Sequence, residues 1–407
     1  MIVISGAALV LPDRILSPGT LIIEGTRIAE VRAGPHPDSS LSLRGHYVVP
    51  GFIDVHVHGV EGIDSLDGGH VIAAMSERLP RYGVTAFCPT TVACAPEALR
   101  EVLEQVRRAR ETPPRGARVL PAHLESNFIS PEYAGAQPAR CLRTAGAALR
   151  DRARGQAAPE AAPAREFDAA DILNEIQRAR SEVAIVTVAP ELDGGIDLVR
   201  WLKDRGHHVS LGHSGASYDQ AVDAIAAGAT QATHLFNRMP PPGHRAPGLA
   251  GAVLEHEQVA AELICDGAHV HPAMLKVAIA AKRPARIMAI TDGTAGSGLQ
   301  TGARASLGGR EIIVGEDAAR LGDGTLAGSV TTMDRVFLLL VETVGLSLVE
   351  AATVCSTTPA LELGLADRGV LRPGAAADFT VLDERFAVVQ TYVGGQLVYS
   401  RNSATPV

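Results

Sequence analysis

Residues 48–59 read V-V-P-G-F-I-D-V-H-V-H-G, and this stretch is decisive for the fold. Pro50-Gly51 is a turn pair of the kind that separates two elements. The apolar, partly β-branched run after it is typical of a buried strand. His56 and His58 stand two positions apart, so both side chains point to one face of that strand. They are a candidate half of a metal site, and the alternative is two hydrogen-bonded core or edge histidines.

Both ends of the chain read as β structure. Strands are expected at residues 2–4, 21–23, 27–31 and 47–49, and again at 379–382, 388–393 and 396–399. Gly394-Gly395 marks a hairpin turn between the last two strands. We therefore expect one small β-sandwich domain built from both termini, residues 1–50 plus 366–407, with residues 51–365 as a continuous domain inserted between them.

The middle of the chain alternates strand and helix. Strands are predicted at 52–58, 85–90, 119–125, 183–189, 208–211, 231–235, 261–265 and 286–291, with helices that include 96–110, 196–205, 218–227 and 272–281. Eight such repeats predict an α/β fold, a TIM-like (β/α)8 barrel. An open doubly wound sheet is the second choice, but no G-x-G-x-x-G follows a strand. Residues 144–165, rich in Ala, Arg and Pro, are expected to form a mobile surface insertion.

Composition limits the possible partners. The net charge of −8 argues against nucleic acid and against an anionic membrane surface, so an anionic substrate would need a few local cations. Five cysteines without a C-x-x-C pair suit reduced thiols. We find no signal-peptide pattern and no apolar run of the roughly 18 residues that a spanning helix needs. These features predict a cytoplasmic protein that acts on a small molecule.

Ligand-type side chains fall where the predicted strands end. They are His56 and His58 after strand one, Glu125 after strand three, His213 after strand five, His234 after strand six and Asp292 after strand eight. The carboxyl ends of barrel strands are where such folds build their sites. A single histidine or glutamate in this set would have an ordinary structural explanation. The whole set at matching strand ends instead predicts one shared site.

Imidazole and carboxylate ligands suit Zn²⁺ or a similar divalent cation. Such a cation lowers the pKa of water from 15.7 to about 7 and can polarise a carbonyl oxygen. An aspartate beside that water can take its proton and pass it to a leaving amine. The residues therefore predict metal-assisted hydrolysis of an amide.

Ten motifs resemble the amidohydrolase superfamily, and specifically its N-acetylglucosamine-6-phosphate deacetylases. In chain order they are P-G-F-I-D-V-H-V-H-G (50–59), H-L-E-x-x-F-I-S-P (123–131), V-x-x-G-H-S (209–214), T-H-L-F-N-x-M (233–239), P-G-L-A-G (247–251), D-G-x-H-V (266–270), T-D-G (291–293), G-T-L-A-G-S (324–329), P-A-x-x-L-G-L (359–365) and G-x-L-x-P-G-x-x-A-D-F (369–379). The likeness covers residues 48–379. It implies a cytoplasmic homodimer that removes acetate from N-acetylglucosamine 6-phosphate, with one or two Zn²⁺ ions per subunit.

The resemblance also implies a role for each matching residue. Glu125, His213 and His234 match the main metal ligands, and His56 and His58 match the pair that holds a second metal where there is one. Asp292 matches the general base and acid. The positions that match substrate contacts are His269, Asn237 and Arg245, with Arg245 on the 6-phosphate, where a planar guanidinium can donate two charge-assisted hydrogen bonds.

Four positions depart from the pattern that the resemblance implies. Ser126 and Asn127 follow the glutamate where Gly-Pro is usual, and Gln137 stands where a histidine is usual. Arg238 replaces the alanine of the usual N-A-M. All four are expected near the sugar pocket, and we count Gln137 and Arg238 among the substrate-binding candidates. The metal and proton-transfer positions are unaffected, so the departures concern the identity of the sugar, its acyl group or its phosphate.

Three other functions stay open. The same chemistry could act on N-acetylgalactosamine 6-phosphate or on an unphosphorylated N-acyl sugar. A cyclic-amide hydrolase of the same superfamily is disfavoured, because such enzymes resemble this chain at H-x-H but use a carboxylated lysine on strand four, and residues 183–190 contain no lysine. A non-catalytic sugar-phosphate-binding barrel is disfavoured by the complete ligand set and Asp292.

Overall fold

Gly51 separates two sheets in the computed structural model, which describes residues 1–112, 115–154 and 166–402. Tyr47–Pro50 belongs to a sheet made from both chain ends, and Phe52–Val57 is the first strand of a parallel barrel. A Cβ at Gly51 would lie 2.1 Å from the side chain of Thr85, so only glycine fits where the chain passes between the sheets. The turn pair Pro50-Gly51 thus marks a real junction.

The chain ends form one eight-stranded sheet. Its strands are Ile2–Val10, Ile15–Glu24, Arg27–Ala33, Leu41–Ser42, Tyr47–Pro50, Phe379–Leu382, Val388–Val393 and Gln396–Ser400. Phe379–Leu382 pairs antiparallel with Tyr47–Pro50 and so joins the two ends of the chain. The Ile28 amide donates to the Ala375 carbonyl at 2.9 Å, which adds a second link between the two ends of the chain. This confirms a small β domain made from both termini.

Eight strands form the barrel, and we number them in chain order as barrel strands one to eight. They are Phe52–Val57, Val84–Thr91, Ala122–Leu124, Val183–Val188, His208–Leu211, Gln231–Ala232, Ala260–Ile264 and Ile287–Ile290. Each pairs in parallel with its neighbour in this order. The Asp292 amide donates to the His56 carbonyl at 3.0 Å, and the His58 amide donates to the Gly293 carbonyl at 2.7 Å. These bonds join strand eight to strand one, which confirms the (β/α)8 barrel.

Helices cover the outside of the barrel. They are Val71–Arg78, Pro96–Glu111, Gly146–Ala153, Ala169–Arg178, Gly195–Lys203, Tyr218–Ala227, Gly248–Glu255, Pro272–Lys282, Met333–Leu339, Leu348–Ala352 and Thr358–Glu362, with π-helical turns at Leu340–Val344 and Thr353–Thr357. Tyr218–Ala227 has the predicted bounds. Its start is set by a capping box in which the Ser217 hydroxyl accepts from the Gln220 amide and the Gln220 side chain accepts from the Ser217 amide.

Several elements differ from the expectation. The strand predicted at 119–125 is two pieces, Arg118–Val119 and Ala122–Leu124, because Pro121 cannot donate to the ladder. Within the segment expected to be a surface loop, Gly146–Ala153 is helical, and residues 155–165 lie outside the described residues. A three-stranded antiparallel sheet, Arg304–Leu307, Arg310–Val314 and Ala319–Leu321, was not predicted. It places Leu307 over the carboxyl end of the barrel, at the cavity described below.

The sheet memberships lead us to propose residues 1–50 plus 366–407 and residues 51–365 as the two domains. All five cysteines are buried and free. Among the described residues, no helix is long and apolar enough to cross a bilayer.

Candidate active site

Three side chains from barrel strands three, five and six meet at one point. The Glu125 Oε1 atom lies 2.8 Å from the His213 Nε2 and 2.8 Å from the His234 Nε2, and the two nitrogens are 3.0 Å apart. All three residues are at most 4% exposed. The structure therefore brings the three main ligand candidates together.

The two histidines of strand one approach the same glutamate from the other side. The His56 and His58 Nε2 atoms are 3.2 Å apart and lie 3.8 and 3.5 Å from oxygens of Glu125. The Asp292 Oδ1 atom lies 3.3 Å from the His56 Nε2 and 3.2 Å from the His58 Nε2. All six residues predicted at strand ends thus share one cluster, with Glu125 between two histidine pairs.

The donor chemistry of this cluster fits a cation. The Tyr133 carbonyl can only accept, and it lies 2.7 Å from the His213 Nδ1, so that nitrogen carries a proton. In the neutral ring the Nε2 lone pair then faces a carboxylate oxygen, which is also an acceptor. Two acceptors at 2.8 Å need a positive charge between them, supplied by a proton or a metal ion. Glu125 with His213 and His234, and Glu125 with His56 and His58, each have the composition of a metal-ligand set.

The electrostatics of the cluster also favour positive charge. Burial alone would lower the pKa of His58, but the hydrogen bond to Asp292 and the charges of Glu125 and Asp292 raise it to about 9. Burial would raise the pKa of Glu125, yet His213 and His234 hold it well below its usual range. At His56 burial dominates and lowers the pKa to about 3. Glu125 and Asp292, whose pKa values are both lowered, stay ionised and give the site the negative field that a cation needs.

Three buried residues behind the cluster were not identified from the sequence. Glu262 on strand seven, fully buried, lies with its Oε2 atom 2.9 Å from the His56 Nδ1. The His123 Nδ1 lies 3.1 Å from the Val55 carbonyl, and Asp54 accepts from the Thr291 hydroxyl at 2.6 Å. Glu262 and Asp54 are charged-type residues inside apolar strands, and that exception to the apolar pattern was the available signal.

Backbone conformation aims the strand-end side chains inward. Five non-glycine residues here have φ in the left-handed region: His213 (48°), His234 (30°), Phe236 (78°), Arg238 (52°) and Asp292 (50°). Such conformations are costly for residues with a Cβ and tend to cluster at functional sites. The strand predicted at 231–235 therefore stops at Ala232, and the turn that follows points His234 at Glu125.

A cavity of about 460 Å³ opens over the cluster at the carboxyl end of the barrel. Gln137, Asn237, Arg238 and His269 line it, together with five members of the cluster. The His269 Nδ1 lies 2.6 Å from the Asp266 Oδ2, and this contact raises the pKa of His269 against the lowering effect of burial. His269 thus keeps a proton available in the cavity.

Arg245 is placed differently. It is exposed in a loop and is not among the described residues that line the cavity. Among the described residues, Arg238 is the only arginine that lines the cavity. Its Nη2 donates to the Leu326 carbonyl at 3.3 Å.

The four departures from the resemblance separate into two pairs. Gln137 and Arg238 line the cavity, as expected. Ser126 donates to the Thr187 carbonyl, and Asn127 donates to the carbonyls of Cys94 and Cys141. Both side chains are therefore engaged in hydrogen bonds to buried backbone. Gln137 also donates through its amide to the Glu125 Oε2 and accepts from the Ala93 amide at 2.7 Å. It therefore orients a ligand candidate as well as lining the cavity.

Comparisons with known proteins place the chain in a family. Residues 47–398 match the model of the amidohydrolase family. The human N-acetylglucosamine-6-phosphate deacetylase is 37% identical over 96% of this chain and 91% of the relative. An N-acetylgalactosamine-6-phosphate deacetylase of Escherichia coli O157:H7 is 32% identical over 89% of this chain and 90% of the relative.

A solved structure extends this likeness to the fold. The structure of a variant N-acetyl-D-glucosamine-6-phosphate deacetylase from Mycobacterium smegmatis, in complex with N-acetyl-D-glucosamine-6-phosphate, superposes with a TM-score of 0.87. It is 32% identical, and the match covers 98% of this chain and 99% of the other. With its barrel, its strand-end ligand set and these relatives, the chain belongs to the amidohydrolase family, within its N-acetylglucosamine-6-phosphate deacetylases.

Proposed function

We propose that this chain hydrolyses the acetamide of N-acetylglucosamine 6-phosphate to glucosamine 6-phosphate and acetate. The observation that carries the proposal is the position of Asp292. Its carboxylate lies within 3.3 Å of both strand-one histidines, at the floor of a cavity large enough for a sugar phosphate. The likeness to the named deacetylases over nearly the whole chain supports the same substrate.

Glu125, His213 and His234 would hold a divalent cation, and His56 and His58 with Glu125 would hold a second one. We propose Zn²⁺, one or two per subunit, because imidazole and carboxylate ligands suit it. Bound there, the cation would supply Lewis acidity toward the acetamide oxygen and toward water. Glu262 holds the His56 ring in place through the contact at Nδ1.

Asp292 is the proton carrier in this proposal. Burial would raise the pKa of Asp292, but His56 and His58 lower it, so the carboxylate is ionised and able to accept a proton. The Oδ1 atom takes a proton from the attacking water and returns it to the departing nitrogen as the C–N bond breaks and the new C–O bond forms. His269, protonated beside Asp266, donates to an oxygen of the bound substrate and orients it.

The phosphate end of the substrate needs cations. Arg238 is available in the cavity wall, beside Asn237. Arg245 is exposed outside the cavity, so it reaches the same phosphate only through a loop movement or from a second copy of the chain. We propose a cytoplasmic homodimer, as the resemblance implies, and light scattering of the purified protein tests the dimer.

The function is tested with a panel of N-acyl sugars after reconstitution with Zn²⁺, Co²⁺ or Mn²⁺. We expect acetate and free amine from N-acetylglucosamine 6-phosphate, and little from the unphosphorylated sugar. The Arg238→Ala and Arg245→Ala variants should raise KM much more than they lower kcat, because each removes binding to a non-reacting phosphate. Absence of acetate release with all three metals would reject the substrate.

A second candidate substrate is N-acetylgalactosamine 6-phosphate, which differs in the configuration of one hydroxyl. The E. coli relative named for that substrate is the observation that favours it. Gln137 and Arg238 are the cavity residues that depart from the usual pattern and are placed to affect the choice. The ratio of kcat/KM values for the two phosphorylated sugars decides between them.

A further inference from the structure

A second and larger cavity, of about 840 Å³, lies at the opposite end of the barrel. Its wall includes Val183 and His208, the first residues of barrel strands four and five. The ligand cluster lies beyond the other ends of the strands. Strand four, with six residues at about 3.3 Å each, puts roughly 15–20 Å between the two cavities. This cavity is therefore separate from the candidate active site.

Five arginines line this second cavity: Arg110, Arg118, Arg180, Arg205 and Arg368. Among the described residues that line it, none carries a carboxylate. The whole chain has a net charge of −8, so a cavity wall with five guanidinium groups is a strong local exception. Two of the five, Arg118 and Arg368, share the buried carboxylate of Asp378.

The other three arginines are held in place by backbone carbonyls, and the Arg205 Nε also donates to the Gln177 side chain at 2.6 Å. The Arg110 Nη1 donates to the Ser181 carbonyl at 2.7 Å, and the Arg180 Nε donates to the Arg205 carbonyl. The Arg205 Nη1 donates to the Trp201 carbonyl at 3.0 Å, and its guanidinium stacks 3.9 Å from the centre of the Trp201 ring. Two of these contacts link the arginines in sequence, Arg110 to the residue beside Arg180 and Arg180 to Arg205 itself, so the three groups lie near one another.

These contacts do not use all of the N–H donors of the three guanidinium groups. Arg110 has Glu182 only at 4.0 Å, and Arg180 and Arg205 have no carboxylate partner within 4.0 Å among the described residues. Burial lowers the pKa of Arg205, the charge of Asp204 opposes that lowering, and the charge of Arg180 adds to it. Arginines near helix carboxyl ends also complement the helix dipole, and that role leaves the N–H groups that are not bonded to carbonyls able to donate to a ligand.

We propose that this cavity binds an anion that carries two or more linked phosphoryl groups. Three guanidinium groups fixed on separate elements match several charged oxygens better than one, because each planar fork can take two of them. The apolar part of the wall, which includes Leu120, Leu363 and Leu365, leaves room for an organic portion. Both an inorganic phosphate chain and a nucleotide share this chemistry.

The experiment is calorimetric titration of the metal-loaded protein at low salt with ATP, inorganic tripolyphosphate and glucose 6-phosphate. We expect one ATP or tripolyphosphate per chain, with glucose 6-phosphate clearly weaker. Tighter binding of ATP than of tripolyphosphate identifies a nucleotide as the ligand, and equal binding identifies the phosphate chain alone. The double variant Arg110→Gln/Arg180→Gln should weaken binding more than about 10-fold, since each lost charge-assisted bond is worth at least that factor.

The matched control is Arg304→Gln/Arg320→Gln, which removes the same charge from exposed arginines of the small three-stranded sheet. It should bind the probes as the unaltered protein does, and both double variants should deacetylate at an unchanged rate. The single variant Arg180→Gln, at an exposed position, serves if the double variant does not fold. The proposal is rejected if neither ATP nor tripolyphosphate binds at about 1 mM. It is also rejected if their binding survives Arg110→Gln/Arg180→Gln, because the ligand would then be bound at the active-site metal.

Discussion

At the scale of single residues, the site depends on one shared carboxylate. The Glu125 oxygens face four imidazole nitrogens, and Gln137 holds the oxygen that faces His58. Asp292 sits against only one of the two histidine pairs. In the proposed mechanism, metal retention and proton transfer therefore fall to different side chains, and single substitutions can separate them.

Asp292→Asn should lower kcat roughly 100- to 10,000-fold, the usual contribution of a positioned general acid or base. Asparagine keeps the shape but cannot take a proton. The metal content should be nearly unchanged. Steady-state assays measure kcat, and elemental analysis of the same samples measures the bound metal. A variant that keeps full activity would remove Asp292 from the proposed mechanism.

Glu262→Gln should weaken metal binding roughly 10- to 100-fold, because Glu262 orients His56 from outside the ligand set. Burial raises the pKa of Glu262 to about 7, so at neutral pH it is partly ionised and its loss changes the charge behind the ligand. Titration with a competing chelator measures the affinity. Glu257→Gln, an exposed change ahead of the same strand, is the control, and equal affinities in the two variants would contradict this role.

At the scale of elements, strand ends position the ligands. Ser210 and Thr187 both hydrogen-bond to the hydroxyl of Thr233, one residue before His234. Gly212 lies directly against Thr233 and one residue before His213. The packing of strands four, five and six in this layer thus fixes the distance between two metal-ligand candidates.

Gly212→Ala should disturb this layer. The new Cβ would lie 2.7 Å from the Thr233 Cβ, closer than real contacts allow, and a tight 3.2 Å from the Thr187 Cγ2. We expect a loss of about 1–3 kcal/mol in unfolding free energy, typical of overpacking, together with lower metal content. Urea denaturation and elemental analysis check both. Gly322→Ala, with open space around it, should change neither.

At the scale of the whole molecule, the terminal sheet is bound to the barrel through Asp378. This carboxylate, 3% exposed, accepts from the Arg118 Nε at 3.1 Å and from the Gly394 amide at 2.5 Å, and also from Arg368. Arg118 precedes barrel strand three, whereas Asp378 and Gly394 belong to the terminal sheet region. The contact also forms part of the wall of the arginine-lined cavity.

Asp378→Asn should destabilise the protein by about 3 kcal/mol, because it removes the buried counter-charge that Arg118 and Arg368 share. Differential scanning calorimetry should show a clearly lower transition temperature. Asp383→Asn, which breaks the more exposed ion pair with Arg401 in the same sheet, should cost under about 1 kcal/mol. Equal effects of the two substitutions would show that Asp378 does not hold the domains together.

Much of the fold was predictable because its signals are local. The start of Tyr218–Ala227 follows from its Ser217 cap, and Phe379–Leu382 and Val388–Val393 follow from β-rich runs between turns. The small sheet at residues 304–321 was missed, since its strands are three to five residues long and too short for a clear alternation. Pro121 divided a strand that the apolar pattern had joined.

The sequence by itself determined the order of strands and helices, the junction at Gly51 and the ligand-type residues at strand ends. It could do so because alternation, capping and turn chemistry act over a few neighbouring residues. Only the tertiary structure decided that Gln137 contacts Glu125, that Glu262 lies behind His56, that Arg245 is outside the cavity and that three arginines face one another at the far end of the barrel. Those contacts join residues tens to hundreds of positions apart, and strand register and barrel closure, which no local pattern encodes, set the distances between them.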